Sequence, residues 1–162
     1  VTAAIQSYTS RDLFPQDYTE VRNGPGGPRL TLLQFPVTAV SSVTVNGRAV
    51  PQATTPTGPG WLADDREVYL TPSAAVDGGA VGLFPRGFQN VVVEYEAGYA
   101  TIPADLVNAC VQQVGYEFRA STRIGERSKT LGAAQTVGYL TDDWLPGVLA
   151  TINRYRRVSV PT

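Results

Sequence analysis

The chain has 162 residues, long enough for one domain with a real core, and its 43% hydrophobic and 17% charged side chains belong to a folded globular protein. It contains no histidine, which excludes Ser–His–Asp and Cys–His catalysis and every histidine-ligated metal site, and its single cysteine, Cys110, excludes an intrachain disulfide. The net charge of −1 hides an imbalance: residues 1–118 carry 6 basic and 11 acidic side chains, residues 119–162 carry 7 and 3, so the two ends suit different partners. Neither a membrane-length apolar run nor a signal-like opening is present. With methionine absent throughout, the 162 residues are expected to be part of a longer reading frame.

Val1, Ala4, Ile5 and Tyr8 form one stripe of an amphipathic helix over about 1–11, which Pro15 prevents from continuing. The period then changes. Tyr18–Arg22 reads as a strand ending in the turn-rich run 23–28, and Arg29–Gln34 as a second. Val37–Val45 follows, and Asn46-Gly47 predicts a tight hairpin because both central residues must reach positive φ. Arg48–Pro51 starts the return strand. Residues 52–60 read as an exposed loop, closed by Trp61 and Leu62. Glu67–Leu70 is another strand, 71–80 another irregular stretch. The run Val91-Val92-Val93 within Asn90–Tyr95 predicts a strand buried on both faces. About six short strands imply an antiparallel sheet or small sandwich over roughly 18–97.

Pro103 suits the first position of a helix reaching about 122, with Asp105 favourably placed in its first turn. Leu106, Cys110, Val114 and Phe118, widened by Val107 and Val111, predict its buried face, which would make Cys110 an inert core thiol. Residues 125–143 read as loop, with an extended piece near Thr136–Leu140. A last helix over about 146–157 starts at Pro146 and buries Val148, Leu149, Ile152 and Tyr155. Arg154, Arg156 and Arg157 crowd its C-terminal turn, and 158–162 is a tail.

The candidate chemistry is thin. The carboxylate neighbours Asp64/Asp65, Glu94/Glu96 and Asp142/Asp143 have structural explanations: Arg66 beside the first pair, a solvent face for the second, helix capping for the third. Gly125–Gly132 contains Lys129-Thr130, but Ser128 stands where a phosphate loop needs its second glycine. Ser128 and Lys129, adjacent on a loop, have no enforced geometry as nucleophile and base. Arg119, Arg123, Arg127 and Lys129 form a basic run. It suits nucleic-acid phosphates, solvent, or acidic groups of an adjacent subunit. No metal, no cofactor and no enzymatic activity are expected.

Five segments carry a resemblance. Ile5-Gln-Ser-Tyr-Thr-Ser-Arg11, Phe35-Pro-Val-Thr-Ala-Val-Ser-Ser-Val-Thr-Val-Asn-Gly47, Tyr95-Glu-Ala-Gly-Tyr-Ala-Thr-Ile-Pro-Ala-Asp-Leu106 and Arg123-Ile-Gly-Glu-Arg-Ser-Lys129 occur in that order. Leu145-Pro-Gly-Val-Leu149, closed by Tyr155-Arg-Arg157, completes it. Together they resemble the phage head–tail connector (adaptor, head-completion) proteins of siphophage type. The resemblance implies a virion protein assembled in the host cytoplasm. It implies a self-assembled ring, commonly a dodecamer, under the portal protein at the head–tail interface. A tail-completion or stopper protein would lie beyond it, and double-stranded DNA would pass through the lumen without sequence readout. The portal-binding segment would be Arg154, Tyr155, Arg156, Arg157, Val158 and Val160. The basic run Arg119, Arg123, Arg127 and Lys129 would face the DNA channel or a neighbouring subunit.

The expected fold is α+β: one adaptor domain over 1–162, a helical layer from 1–11, 103–122 and 146–157, and a β-rich antiparallel insert at 18–97. The competing reading is a β-rich virion module that contacts another surface protein or a receptor through loops 52–60 and 71–89.

Overall fold

The structure is a computed structural model describing residues 1–122, 128–131, 135–138 and 143–157, with backbone alone for 128–131 and 135–138. The fold is mixed α+β. The chain forms two compact units, Asp12–Thr101 and Val1–Arg11 with Ile102–Thr162.

The first unit holds seven strands: β1 (Gln16–Gly24), β2 (Arg29–Thr31), β3 (Val37–Val45), β4 (Arg48–Val50), β5 (Trp61–Ala63), β6 (Glu67–Leu70) and β7 (Gly87–Ala97). They form two antiparallel sheets, ordered β1-β7-β3-β4 and β2-β6-β5. Side chains alternate across each strand, and the inward set from both sheets makes one core of Leu30, Leu32, Val43, Val45, Trp61, Val68, Leu70, Phe84, Val91, Val93 and Tyr95. Asn46 and Gly47 take φ of 51° and 78° and join β3 to β4, the hairpin their identities predict.

Three expectations need correction. β7 is buried on one face only: Val91 and Val93 are sealed, while Val92 between them is half-buried and shares a row with Val21 of β1 and Thr44 of β3. Trp61 does more than close a loop. It starts β5, lies in the core, and donates its indole N–H to the Val50 carbonyl at 2.9 Å. This is possible because Gly60, at φ 137°, lets the backbone pass where a Cβ would strike the Pro51 carbonyl. The stretch after β6 is irregular but not free, since Ala74 and Phe84 are both fully buried.

A polar group is built into this core. Glu20, on the inward face of β1, accepts from the Tyr95 hydroxyl at 2.6 Å, the Leu33 N–H at 3.0 Å and Arg22 Nη1 at 3.0 Å. Burial, reinforced by the bond to Glu20, pushes the Tyr95 phenol well above the ordinary tyrosine range. Burial and the 2.7 Å bond to Asp12 do the same for Tyr18, whose ring lies 5.6 Å from that of Tyr95. Of the carboxylate neighbours, Asp64 folds its own turn: its Oδ1 accepts the N–H groups of Arg66 and Glu67 at 2.8 and 2.7 Å. The Arg66 guanidinium lies instead over the Phe35 ring, 4.4 Å from its centroid. Glu94 is exposed, as a solvent-facing strand position should be, and its Oε2 accepts from Ser42.

The second unit holds α1 (Thr2–Thr9), α2 (Ala104–Ser121) and α3 (Pro146–Arg154), with an antiparallel backbone pair, β8 (Ser128–Leu131) and β9 (Gln135–Gly138), in a stretch expected to be mostly loop. Ile5 and Thr9 of α1, Leu106, Ala109 and Gln113 of α2, and Val148 and Ile152 of α3 are buried. From the expected first stripe, Ile5 is buried, Tyr8 half-buried and Ala4 exposed.

Candidate functional site

The helical unit is fastened at the end of α3. Ser10 takes a left-handed conformation (φ 54°) that closes α1, with Ser10 and Arg11 donating back to the Ser7 and Gln6 carbonyls. Arg11, 4% exposed, donates from Nη1 to the Tyr155 carbonyl at 3.1 Å, placing a cation at the C-terminal end of α3. The Arg157 N–H donates to the Thr9 carbonyl at 2.9 Å, and the Tyr8 hydroxyl donates to Asn153 Oδ1 at 2.7 Å. The Tyr155 hydroxyl donates to Asp105 Oδ1 at 2.7 Å, tying the same turn to the start of α2. Arg156 lies 5.6 Å from the Tyr8 ring centroid, and that ring also meets Trp144. The expected docking segment therefore divides. Tyr155 and Arg157 hold the helices of their own chain, α3 stops at Arg154, and the side chains of Arg154 and Arg156 are exposed, that of Arg156 beside the Tyr8 ring. Val158 and Val160 lie outside the described residues.

The beginning of α3 is held differently from the expectation of an aspartate cap. Leu145 is its N-cap and makes no side-chain cap bond, with Pro146 at the first helical position. Gln113, 0% exposed, reaches across from α2: its Nε2 donates to the Asp143 carbonyl at 2.7 Å and to Glu117 Oε1 at 3.2 Å, and its Oε1 accepts the Leu145 N–H at 3.2 Å. Asp143 thus contributes its backbone, and Asp142 lies outside the described residues. Sequence reasoning missed Gln113, because a glutamine among Cys110, Val111 and Val114 reads as polar-face filler. Its spacing of four from Ala109 was the available signal.

The largest correction concerns the face of α2. Leu106 is buried as expected, but Cys110, expected to be a core thiol, is only half-buried, and the remaining inward positions are Ala109 and Gln113. Val107, Val111, Val114 and Phe118, expected in the core, are exposed, Phe118 by 75%. At i, i+4, i+7 and i+11 they make one straight stripe, turned away from the buried positions. The helix has two apolar faces, and among the described residues only one is buried. Among the described residues the other exposed large apolar side chains, Phe14, Val21, Val81 and Phe88, all lie in the β unit.

Of the basic run, only the side chain of Arg119 is described, exposed in the last turn of α2. Arg123 and Arg127 lie outside the described residues, and Lys129 is placed by its backbone in β8. Among the described residues no group of three metal-ligating side chains occurs, and no helix is long and apolar enough to cross a membrane.

What this arrangement offers is surface, and the comparisons with known proteins agree in kind. The family model for head completion proteins matches residues 1–158. The chain belongs to the head completion protein family. A chain in the neck of an empty GTA particle, computed with C6 symmetry, is similar in fold, with a TM-score of 0.54 over 98% of this head completion protein and 74% of that chain, at 23% identity. No curated protein matches in sequence.

Proposed function

We propose that this head completion protein is a structural head–tail adaptor: a ring, commonly of twelve copies, seated beneath the portal protein, meeting a tail-completion or stopper protein on its far side, and leaving a lumen for double-stranded DNA. Its place would be the portal vertex of the virion, reached by assembly in the host cytoplasm. Its work is assembly rather than catalysis, with the helical unit as the adaptor layer and the β unit inserted into it. The observation that carries this reading is the bare apolar stripe of α2 among the described residues of the helical unit, because a helix with a second uncovered apolar face is built to be covered by a partner.

The portal would be reached through the residues after α3. Arg154 and Arg156 would supply charge steering there, and Val158 and Val160 an apolar plug. The intrachain bonds of Tyr155 and Arg157 support this reading by setting where the segment leaves the helices. The basic run would face the lumen or the neighbouring copy. In the β unit, Val81 in the stretch after β6 and Phe88 at the start of β7, the latter 81% exposed, favour a second contact surface within the expected loop 71–89. That surface is compatible with the adaptor and is the form in which the binding-module reading survives.

The test is a particle reconstruction together with removal of residues 158–162. The expected result is density for this chain as a ring at the portal vertex of normal particles. In the truncation, portal binding is lost while helical circular dichroism is unchanged. Density elsewhere on the particle, or undiminished portal binding after truncation, would reject the respective claim.

A further inference from the structure

We infer that the apolar stripe of α2 is the seam between neighbouring copies, and that it seats on the outward face of α1 of the next copy; this rests on the ring reading above. Cyclic rings join by heterologous contacts, so each subunit needs two different, complementary patches. The helical unit carries such a pair. One is the stripe Val107, Val111, Val114 and Phe118, large and without charge. The other is Ala3, Ala4 and Ser7, which lie on the exposed side of α1, away from buried Ile5 and Thr9.

The α1 helix, Thr2–Thr9, has no charged residue in a chain holding 13 basic and 14 acidic side chains. Its small outward residues leave grooves that valine and phenylalanine side chains can enter. Gly115, beside the stripe, has open space around it, so a second backbone can come close. DNA is a poor occupant, because nothing in the stripe can neutralise a phosphate.

The size of the patch argues in the same direction. Three valines about half exposed and one phenylalanine mostly exposed leave roughly 300 Å² of bare apolar surface. One side of a stable interface buries about 800 Å². A lone pair of copies is therefore weakly held, and the contact becomes durable when it is repeated around a closed ring, where every copy is gripped twice.

The test is a cysteine-pair experiment on the full chain in assembling particles. Cys110→Ser is the background, carrying Ala4→Cys, Val111→Cys, or both. The expected result is a ladder of covalent oligomers beyond the dimer with both cysteines under mild oxidation, and monomers with either alone. Dimers from Val111→Cys alone would mean that α2 pairs with itself, and would overturn the proposal. Rings present in the particle reconstruction with no ladder would also overturn it, while leaving the adaptor function standing. Particles whose necks contain no ring of this chain would instead sink the ring reading itself. A Phe118→Glu variant gives a second readout: ring assembly lost, with helical circular dichroism and monomer solubility retained. Normal rings from that variant would reject the seam.

Discussion

Replacing Gln113 with leucine isolates what a single buried amide does for the helical unit. The substitution keeps the volume approximately and removes every hydrogen bond of the side chain. Two backbone groups, the Asp143 carbonyl and the Leu145 N–H, lose the partners they have at 2.7 and 3.2 Å. Each lost bond is worth about 1 kcal/mol, and each polar group left buried adds about 1–3 kcal/mol more if water cannot reach it. Partial access for water at the loop end and the gain from an apolar side chain offset some of this, so the net expectation is about 3 kcal/mol. The bond to Glu117 adds little, since Glu117 is exposed; Glu117→Ala should change stability by no more than about 0.5 kcal/mol and serves as the control. For a chain of 162 residues this corresponds to a midpoint lower by roughly 6–12 °C. The assay is urea and thermal unfolding followed by helical circular dichroism and by Trp144 fluorescence, because Trp144 lies in the affected turn against Tyr8. A Trp61→Phe background removes the other tryptophan. A loss below about 1 kcal/mol would refute the argument that Gln113 holds the start of α3.

The two sides of α2 should respond oppositely to truncation: Leu106→Ala should cost about 2–5 kcal/mol, and Phe118→Ala less than about 1 kcal/mol in the isolated chain. Equal losses in denaturant titrations would mean the helix is turned the wrong way. The alkaline limb of stability should belong to Tyr18 and Tyr95. Their folded values are raised above the unfolded value near 10, so their contribution is complete below about pH 10 and is lost as pH climbs toward the folded values. Phenolate absorbance should show a late phase that coincides with loss of the β signal and shrinks in Tyr95→Phe; a single early titration with the fold intact would contradict it.

Local chemistry made much of the β unit legible. Asn46-Gly47 allows one kind of hairpin and the structure has it. Pro146 stands in the first turn of α3, as its fixed φ and missing N–H allow, and Pro103 marks the start of α2 from one residue outside it, as the N-cap rather than the expected first helical position. The face of α2 was not legible. Periodicity reports that residues are apolar, not what lies opposite them. A helix with valines on its outer side and leucine, alanine and glutamine on its inner side therefore presents the stronger signal on the wrong face. Glu20 and Gln113 were hidden for a related reason: their burial depends on partners 75 and 32 residues away in sequence, Tyr95 and Leu145. β5 was lost because three residues are too few to show an alternation.

The strand by which the chain enters the β unit runs beside the strand by which it leaves. Gln16 pairs with Ala97, the Tyr99 N–H donates to the Leu13 carbonyl at 2.9 Å, and Gly98, at φ 137°, sits where a Cβ would strike the Phe14 carbonyl. A module whose two ends emerge side by side needs only a short gap between its points of attachment. Such a module can be exchanged, enlarged or spliced out with the host helices left covalently joined.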